Sequence, residues 1–247
     1  MFKYIIDSKY ENSFKDFFLN IQTFFSKNDT TIHKARNELK IISHADIDTV
    51  VKAFKVPNII NRIVYSFFRA SKAKKSYEYS LKIGRFTPNP IGYIEFFDTC
   101  LLSQSYFVSE KFDYDFTIRE PLLDDNFPAK EEILKAFARF TYELHENNIF
   151  HKDYSPGNIL IKKEDNEFIF KIVDINRMQF FELGAEDRAM NFSKLWARDD
   201  ELEIMATEYL SLYDTQIDFT QRVCFYSNKN KRTKNFKKRL KGQKVTD

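Results

Sequence analysis

The residues best suited to chemistry lie in two short segments in the second half of the chain. Residues 151–158 read His-Lys-Asp-Tyr-Ser-Pro-Gly-Asn, and residues 173–176 read Val-Asp-Ile-Asn. Asp153 can accept the proton of a hydroxyl group, whereas Asn158 and Asp174 carry oxygen atoms that suit a divalent cation. This order and spacing of a base, an asparagine and a second aspartate is typical of loops that transfer a phosphoryl group.

The sequence between these residues predicts how they would meet. A Pro-Gly pair turns the chain after Asp153, and Asn158 then begins a strand. A polar turn at 164–166 leads into residues 167–173, which would return antiparallel and deliver Asp174 beside Asn158. Three oxygen-bearing side chains would then converge, as Mg²⁺ requires. The alternative, a hairpin with polar residues at its ends by chance, needs several independent coincidences.

Phosphoryl transfer also needs a cation that holds the phosphates of the nucleotide. Val50 and Lys52 stand two residues apart in an apolar segment that predicts a strand, so their side chains would point the same way. Val50 would then cover the adenine, and Lys52 would reach the phosphates. Lys55 would point to the other side and is the alternative, and a solvated surface group is the ordinary role of any lysine.

The remaining predicted nucleotide contacts come from acidic and aromatic residues near these strands. Glu78 is the only acidic residue within 49–94, so it is the expected carboxylate partner of Lys52, although an exposed helix glutamate is the simpler interpretation. Glu110 and Phe112, at the expected boundary between two lobes, complete the predicted nucleotide-binding set.

The coarse pattern predicts an α+β, bilobed protein-kinase-like fold. Its N-lobe, residues 1–110, would be β-rich and position the nucleotide phosphates. Its C-lobe, residues 111–247, would be mainly helical and carry the catalytic loop, the metal site, acceptor binding and a basic tail. The elements behind this prediction are a helix over 11–26, strands within 30–55, a helical segment over 58–83, strands at 91–97 and 105–110, a helix from Pro128 to Asn147, and helical pattern from Glu186 to Tyr213.

Composition narrows the class of protein further. The 247 residues have a formal net charge of +3, and the two cysteines, Cys100 and Cys224, have no metal-binding spacing. No secretory signal or membrane-spanning segment is expected, which predicts a cytoplasmic protein. Residues 229–244 contain nine Lys or Arg and no acid, so they form either a solvated terminus or a surface for an anionic membrane or glycan. Sparse aromatic residues there make nucleic acid an unlikely partner.

Two expected kinase features are missing from the sequence. No glycine precedes Gly84, so there is no glycine-rich phosphate loop, and the basic turn with Lys34 and Arg36 would have to replace it. Asp-Ile-Asn stands where protein kinases have Asp-Phe-Gly, and no Ala-Pro-Glu follows. These differences favour a small-molecule or glycan acceptor over a protein. The alternatives are a kinase of the same fold acting on a protein or soluble metabolite, and a nucleotide-binding pseudokinase.

The loop His-Lys-Asp-Tyr-Ser-Pro-Gly-Asn-Ile-Leu, together with Val-Asp-Ile-Asn-Arg-Met-Gln-Phe, resembles the lipopolysaccharide kinase (Kdo/WaaP) family. The resemblance spans about 50–195, includes Thr-Pro-Asn-Pro-Ile-Gly at 87–92, and is most specific at 174–178. It implies an enzyme that uses ATP and Mg²⁺ to phosphorylate a sugar hydroxyl of Kdo or heptose in the lipopolysaccharide inner core, on the cytoplasmic face of the inner membrane. The roles that it implies are Asp153 as base, Asn158 and Asp174 as metal ligands, and Lys52 with Glu78 as the phosphate-positioning pair.

Overall fold

The computed structural model describes residues 1–34, 37–56, 58–165 and 167–243. The chain forms two compact units, Met1–Asp113 and Tyr114–Asp247. The predicted basic turn includes Arg36, which lies outside the described residues. Each unit has its own buried core.

The first unit is built on a six-stranded antiparallel sheet with the order β1-β5-β6-β4-β3-β2. The strands predicted within 30–55 and the two later strands are present. Their bounds are β2 Thr31–Lys34, β3 Asn37–His44, β4 Ile47–Phe54, β5 Pro90–Asp98 and β6 Leu101–Glu110, and they are preceded by β1 Phe2–Ile6.

Strand β1 was not predicted, because its place depends on a partner that lies far away in the sequence. Ile6 pairs with Gly92 of β5. A Cβ atom at Gly92 would stand 2.3 Å from the carbonyl oxygen of Ile5. Gly92 therefore lets the two backbones approach, and any other residue would push β1 away from the sheet.

Helices cover both faces of this sheet. The single helix predicted over 11–26 is two helices, α1 Glu11–Leu19 and α2 Ile21–Lys27, separated at Asn20. Their phenylalanine side chains fill the core on one face against Val51 and Val108. On the other face, the helical segment predicted over 58–83 is also divided, into α3 Ile59–Phe67 and α4 Lys72–Ile83. The Ser71 hydroxyl caps α4 by accepting a hydrogen bond of 3.1 Å from the Lys74 amide.

The second unit is mainly helical and carries two small antiparallel sheets, β10-β9-β7 and β11-β8. The helix predicted from Pro128 begins at Lys130 and ends at Glu146, and the apolar face predicted for it is largely buried. The elements are β7 Phe116–Thr117, α5 Arg119–Leu123, α6 Lys130–Glu146, β8 Ile149–Phe150, β9 Ile159–Glu164, β10 Glu167–Ile172, β11 Gln179–Phe180, α7 Ala185–Asn191, α8 Asp199–Leu210 and α9 Phe219–Leu240.

The basic C-terminal segment forms the second half of helix α9. The beginning of this helix packs into the unit through the buried side chains of Phe219 and Val223. Further along, Asn230 donates a hydrogen bond of 2.9 Å to the Ser193 carbonyl oxygen, and Lys231 donates one of 2.7 Å to that of Ala197. Within the described residues, no helix has the length and apolar character needed to cross a membrane.

Candidate active site

The catalytic loop connects β8 to β9, and His151 fixes its beginning. The imidazole is 2% exposed, and its Nε2 lies 3.0 Å from the Val173 carbonyl oxygen while its Nδ1 lies 3.1 Å from the Asp153 amide nitrogen. A carbonyl oxygen can only accept and an amide can only donate, so the proton of a neutral ring belongs on Nε2. Burial lowers the pKa of His151, which favours that neutral form.

Buried polar groups hold the loop from behind. The Asn191 amide donates a hydrogen bond of 3.0 Å to the His151 carbonyl oxygen. Asn191 Oδ1 lies 3.0 Å from Nε2 of His145, whose Nδ1 lies 2.8 Å from the Tyr209 hydroxyl. Arg188 donates to the same hydroxyl over 3.1 Å. Asn191 thus links the loop to a continuous network between helices α6, α7 and α8.

Tyr154 anchors the middle of the loop in the core. Its side chain is fully buried, stacks on Phe137 with ring centroids 5.5 Å apart, and its hydroxyl lies 2.9 Å from Oγ1 of Thr141. Both partners belong to α6. Because Tyr154 directly follows Asp153, this packing fixes the backbone from which the predicted base extends.

Asp153 and Asn158 are connected across the loop. The Asn158 side-chain amide donates a hydrogen bond of 2.9 Å to the Asp153 carbonyl oxygen. The Asp153 carboxylate is about one-third exposed, and Nζ of Lys194 lies 3.5 Å from its Oδ1. Lys194 also donates to the Lys152 carbonyl oxygen. The predicted base is thus accessible and has a positive charge beside it.

Asp174 reaches Asn158 through the predicted hairpin. Strands β9 and β10 pair from Ile159–Ile172 to Glu164–Glu167, and the Val173 amide donates a hydrogen bond of 2.9 Å to the Asn158 carbonyl oxygen. Asp174 has a left-handed backbone, with φ 57° and ψ 43°, a conformation that aspartate adopts more readily than most residues. The Asn176 side chain donates a hydrogen bond of 2.8 Å to Asp174 Oδ1 and so orients the carboxylate.

The donor set at this end of the hairpin fits Mg²⁺. Since the Asn158 amide nitrogen is turned toward the Asp153 carbonyl oxygen, its Oδ1 faces the other way, as an acceptor. An amide oxygen and a carboxylate are the hard ligands that Mg²⁺ takes in combination with substrate phosphates. Among the described residues, no group of three or more His, Cys, Asp or Glu side chains could hold a metal ion.

In the first unit, Lys52 lies on the sheet face that α4 covers. It stands opposite Phe107 of β6, which in turn stands opposite Tyr93 of β5, so the three side chains share one face. Val50 lies two residues before Lys52 on the same face, as predicted from the strand period. The Lys52 ammonium group lies over the Phe54 ring, 5.4 Å from its centroid.

Glu78 is an exposed residue of α4, the helix that covers this face. Burial raises the pKa of Tyr93 to about 12, and the negative charges of Glu95 and Glu78 contribute to this rise. Glu78 Oε1 also lies 3.7 Å from Nζ of Lys74, one turn earlier in the helix. Lys52 and Glu78 thus belong to one side of the sheet, while their direct pairing stays a prediction.

Glu110 and Phe112 stand at the end of β6 and directly after it. The Glu110 carboxylate accepts hydrogen bonds from the Tyr10 hydroxyl and, over 2.7 Å, from Asn89, and Lys9 lies 3.6 Å away. Burial raises the pKa of Glu110, but these hydrogen bonds and the Lys9 charge outweigh burial, so the pKa lies below its usual range. The Glu110 side chain thus ties the N-terminal segment to the sheet, while the nucleotide contact predicted for Glu110 stays a prediction. Phe112 is half-buried.

Several residues that shape the loop were not predicted from the sequence. Asn191 ends α7 and Lys194 follows it, about forty residues beyond the loop, and His145 comes from α6 before it. No local motif marks them. Asn176, which orients Asp174, is different, because the sequence alone draws attention to it. It follows Asp174 by two residues, at the position where protein kinases have a glycine.

Comparison with known proteins bears on the fold first. The solved structure titled "WaaP in complex with acyl carrier protein" aligns with 93% of this chain and 98% of its own, with a TM-score of 0.62 and 13% sequence identity. A second structure, a Rio2 kinase complex from Chaetomium thermophilum, aligns with 85% of this chain and 66% of its own, with a TM-score of 0.47 and 16% identity. The predicted α+β, protein-kinase-like fold, β-rich first and mainly helical afterwards, is confirmed.

The family comparison is more specific. Residues 104–222 match the model of the "Lipopolysaccharide kinase (Kdo/WaaP) family". This stretch contains Asp153, Asn158 and Asp174, whereas Lys52 and Glu78 precede it. No curated protein matches the chain. The resemblance predicted from the sequence is confirmed, and with it the class of enzyme, a phosphotransferase that acts on an alcohol group.

Proposed function

We propose that this protein is an ATP- and Mg²⁺-dependent kinase that phosphorylates a sugar hydroxyl of the lipopolysaccharide inner core, on Kdo or heptose. The observation that carries the proposal is one connected arrangement within the family-matched region. The Asn158 amide bonds to the Asp153 backbone, and the Asn158 carbonyl oxygen accepts from Val173, directly before Asp174. A single loop and hairpin thus carry the proposed base and both proposed metal ligands.

Each residue then has a chemical role. Asp153 accepts the proton of the attacking sugar hydroxyl and orients that oxygen. Asn158 and Asp174 hold Mg²⁺, which when bound neutralises charge on the nucleotide phosphates. Lys194 places a further positive charge beside the hydroxyl that Asp153 activates, where the transferred phosphoryl group brings negative charge.

The first unit supplies the nucleotide contacts in this proposal. Lys52 holds the phosphates and Glu78 orients Lys52, while Val50 covers the adenine. The backbone of Glu110 and the half-buried Phe112 complete the adenine site at the end of β6. In domain terms, residues 1–110 position the nucleotide, and residues 111–247 hold the catalytic loop, the metal and the acceptor.

Helix α9 makes a peripheral contact with the anionic inner face of the membrane in this proposal. Three exposed apolar side chains, Phe225, Phe236 and Leu240, recur at helical spacing along it, and exposed cations flank them. An amphipathic helix with basic flanks binds a membrane interface in this way, each cation contributing about 1 kcal/mol near an anionic surface. Because WaaP has been captured with acyl carrier protein, a protein partner is the competing occupant.

The function is tested by incubating the protein with γ-labelled ATP, Mg²⁺ and lipopolysaccharide core acceptors that end in Kdo or in heptose, and then locating the label. Transfer to one sugar is the expected result. In parallel, ATP should raise the melting temperature more with Mg²⁺ than without it, because the metal links the phosphates to Asn158 and Asp174. A protein that ATP never stabilises, and that labels no acceptor, would refute the proposal.

The membrane contact is tested without shortening α9, since Asn230 and Lys231 pack against the unit. A variant with Lys234→Gln, Lys237→Gln and Arg239→Gln removes exposed cations only. Its sedimentation with vesicles of anionic lipid should weaken at low salt, while ATP binding stays unchanged. Equal sedimentation of variant and wild type would reject the membrane and leave a protein partner as the occupant to be tested.

A further inference from the structure

The side chain of Arg119 lies directly against the catalytic loop. If Gly157 carried a Cβ atom, that atom would stand 2.7 Å from one terminal nitrogen of the Arg119 guanidinium and 3.4 Å from its Cζ. The backbone of Gly157 has no positive φ that would demand glycine. The Arg119 guanidinium therefore occupies the space that a side chain at position 157 would take, and a larger residue there would displace it.

The Arg119 guanidinium is not engaged by an acid. Across the part of the chain that the structure describes, no ion pair or side-chain hydrogen bond involves this group. The adjacent carboxylate of Glu120 is occupied elsewhere, since it accepts hydrogen bonds of 2.9 Å and 2.6 Å from the amide and hydroxyl of Thr117. Arg119 is an exposed residue. Its charge thus lies beside the loop and is open to a ligand from solution.

We propose that Arg119 binds an anionic group of the acceptor sugar and thereby presents the hydroxyl to Asp153. The proposal rests on the proposed function and deepens it. Gly157 lies between Asp153 and Asn158 in the loop, so the Arg119 guanidinium stands beside the same loop that carries the proposed base. A guanidinium offers a planar pair of donors that fits a carboxylate or phosphate bidentately.

Two anionic groups share this chemistry, the carboxylate of a sugar acid such as Kdo and the phosphate of a phosphorylated heptose. Either one would place a negative charge beside the loop, where Lys194 contributes a second positive charge near Asp153. The site therefore selects for acceptors that carry an anion close to the reacting hydroxyl, and the two sources are separated by experiment.

The first experiment measures binding and needs no turnover. Wild-type protein is titrated by NMR with the methyl glycoside of Kdo and with its neutral methyl ester, and separately with a heptose phosphate and the unphosphorylated heptose. The anionic member of one pair should bind about ten-fold tighter or more, as a charge-assisted contact implies. Arg119→Ala should abolish this preference, whereas Arg139→Ala, which removes the same charge from the outer side of α6, should keep it.

A double-mutant cycle then tests the contact with Gly157. Gly157→Ala should displace the guanidinium and weaken binding of the anionic sugar. In the Arg119→Ala background, Gly157→Ala should cause no further loss, because nothing is left to displace. ATP binding is measured alongside and should not change in Arg119→Ala. Additive losses, or equal binding of acid and ester by the wild type, would overturn the proposal.

The outcomes separate this site from the proposed function. Phosphorylation of a sugar without discrimination between acid and ester would refute the Arg119 site and leave the kinase activity standing. Arg119-dependent binding of the anionic sugar, without phosphate transfer, would support the site and refute the activity. Arg119→Lys provides the conservative variant, and it should retain part of the preference because it keeps the charge and loses the planar pair of donors.

Discussion

The catalytic loop and the sheet face around Lys52 differ in how they are held. In the loop, Asn158 is bonded to Asp153, and buried groups on three helices support His151 from behind. Lys52 lies within strand β4, and its ammonium group lies over the Phe54 ring, 5.4 Å from the centroid. Its backbone is held by pairing of β4 with β3 on one side and β6 on the other. The loop therefore depends on particular side chains for its shape, whereas the position of Lys52 is set by the sheet.

The largest effect is expected from replacing the two aspartates of the catalytic loop and hairpin, Asp153 and Asp174. Asp153→Asn should lower turnover by about 10²–10⁴-fold, since it removes the base. Asp174→Asn should cost at least as much and should also abolish the extra thermal stabilisation that Mg²⁺ gives with ATP. Asparagine is chosen because it tolerates the left-handed backbone of Asp174.

Steady-state turnover and melting temperature together check this prediction. Both variants should melt close to the wild type, because neither residue fills the core. If a correctly folded Asp153→Asn variant keeps wild-type turnover, Asp153 is not the catalytic base.

The Lys52 side is tested by a pair of lysine variants. Lys52→Ala should lower turnover by about 100-fold, as the loss of an oriented charge on a transferring group does. Lys55→Ala, beyond the end of β4, should stay near the wild type. Kinetics at saturating and limiting ATP provide the measurement, and the reverse ranking would mean that Lys55 holds the phosphates.

Lys194 should give a smaller effect because its contact with Asp153 is long and partly exposed. Lys194→Gln should lower kcat by about ten-fold, equivalent to about 1.4 kcal/mol in activation free energy. The KM for ATP should stay unchanged, because Lys194 acts beside the acceptor. A higher KM for ATP with unchanged kcat would instead assign Lys194 to nucleotide binding.

The smallest effect concerns stability and pH. Burial lowers the pKa of His145 to about 3, whereas an unfolded histidine titrates near 6.5. Below about pH 6.5 the unfolded chain takes up a proton that the folded network does not, so the free energy of unfolding falls as pH falls. The slope is at most about 1.4 kcal/mol per pH unit for this residue. Urea unfolding at pH 7 and pH 5.5 measures it, and His145→Gln should have a shallower slope; equal slopes would contradict the assignment.

The catalytic hairpin was predictable because its signals are local. A Pro-Gly turn, a polar turn and apolar strands lie within 25 residues, and they define the pairing of β9 with β10 without help from the rest of the chain. Strands β2 to β6 of the first unit were equally recognisable from their period. The prediction of a single helix over 11–26 was wrong only at Asn20, where the chain divides into α1 and α2. Asparagine interrupts helices less reliably than proline does, so this break had no clear sign in the sequence.

What the sequence did not reveal depends on tertiary structure. Lys194 and Asn191 reach the loop only because α7 folds back onto it, and β1 joins the sheet only because Gly92 leaves room for it. Arg119 is a similar case, since its guanidinium reaches Gly157 of the loop from helix α5. Spacing along the chain cannot encode such contacts. The Lys52–Glu78 pair remains a prediction for the same reason.

The hydrogen bond from Asn176 to Asp174 has a consequence for control of the enzyme. In protein kinases a glycine follows the metal-binding aspartate by two residues, and glycine leaves the backbone free to move. Here a side chain tethers the carboxylate instead. The tether favours one position of the carboxylate and so lowers the population of other positions that a regulator could shift. We therefore expect the rate of this enzyme to follow the supply of acceptor and nucleotide more than the binding of a regulator.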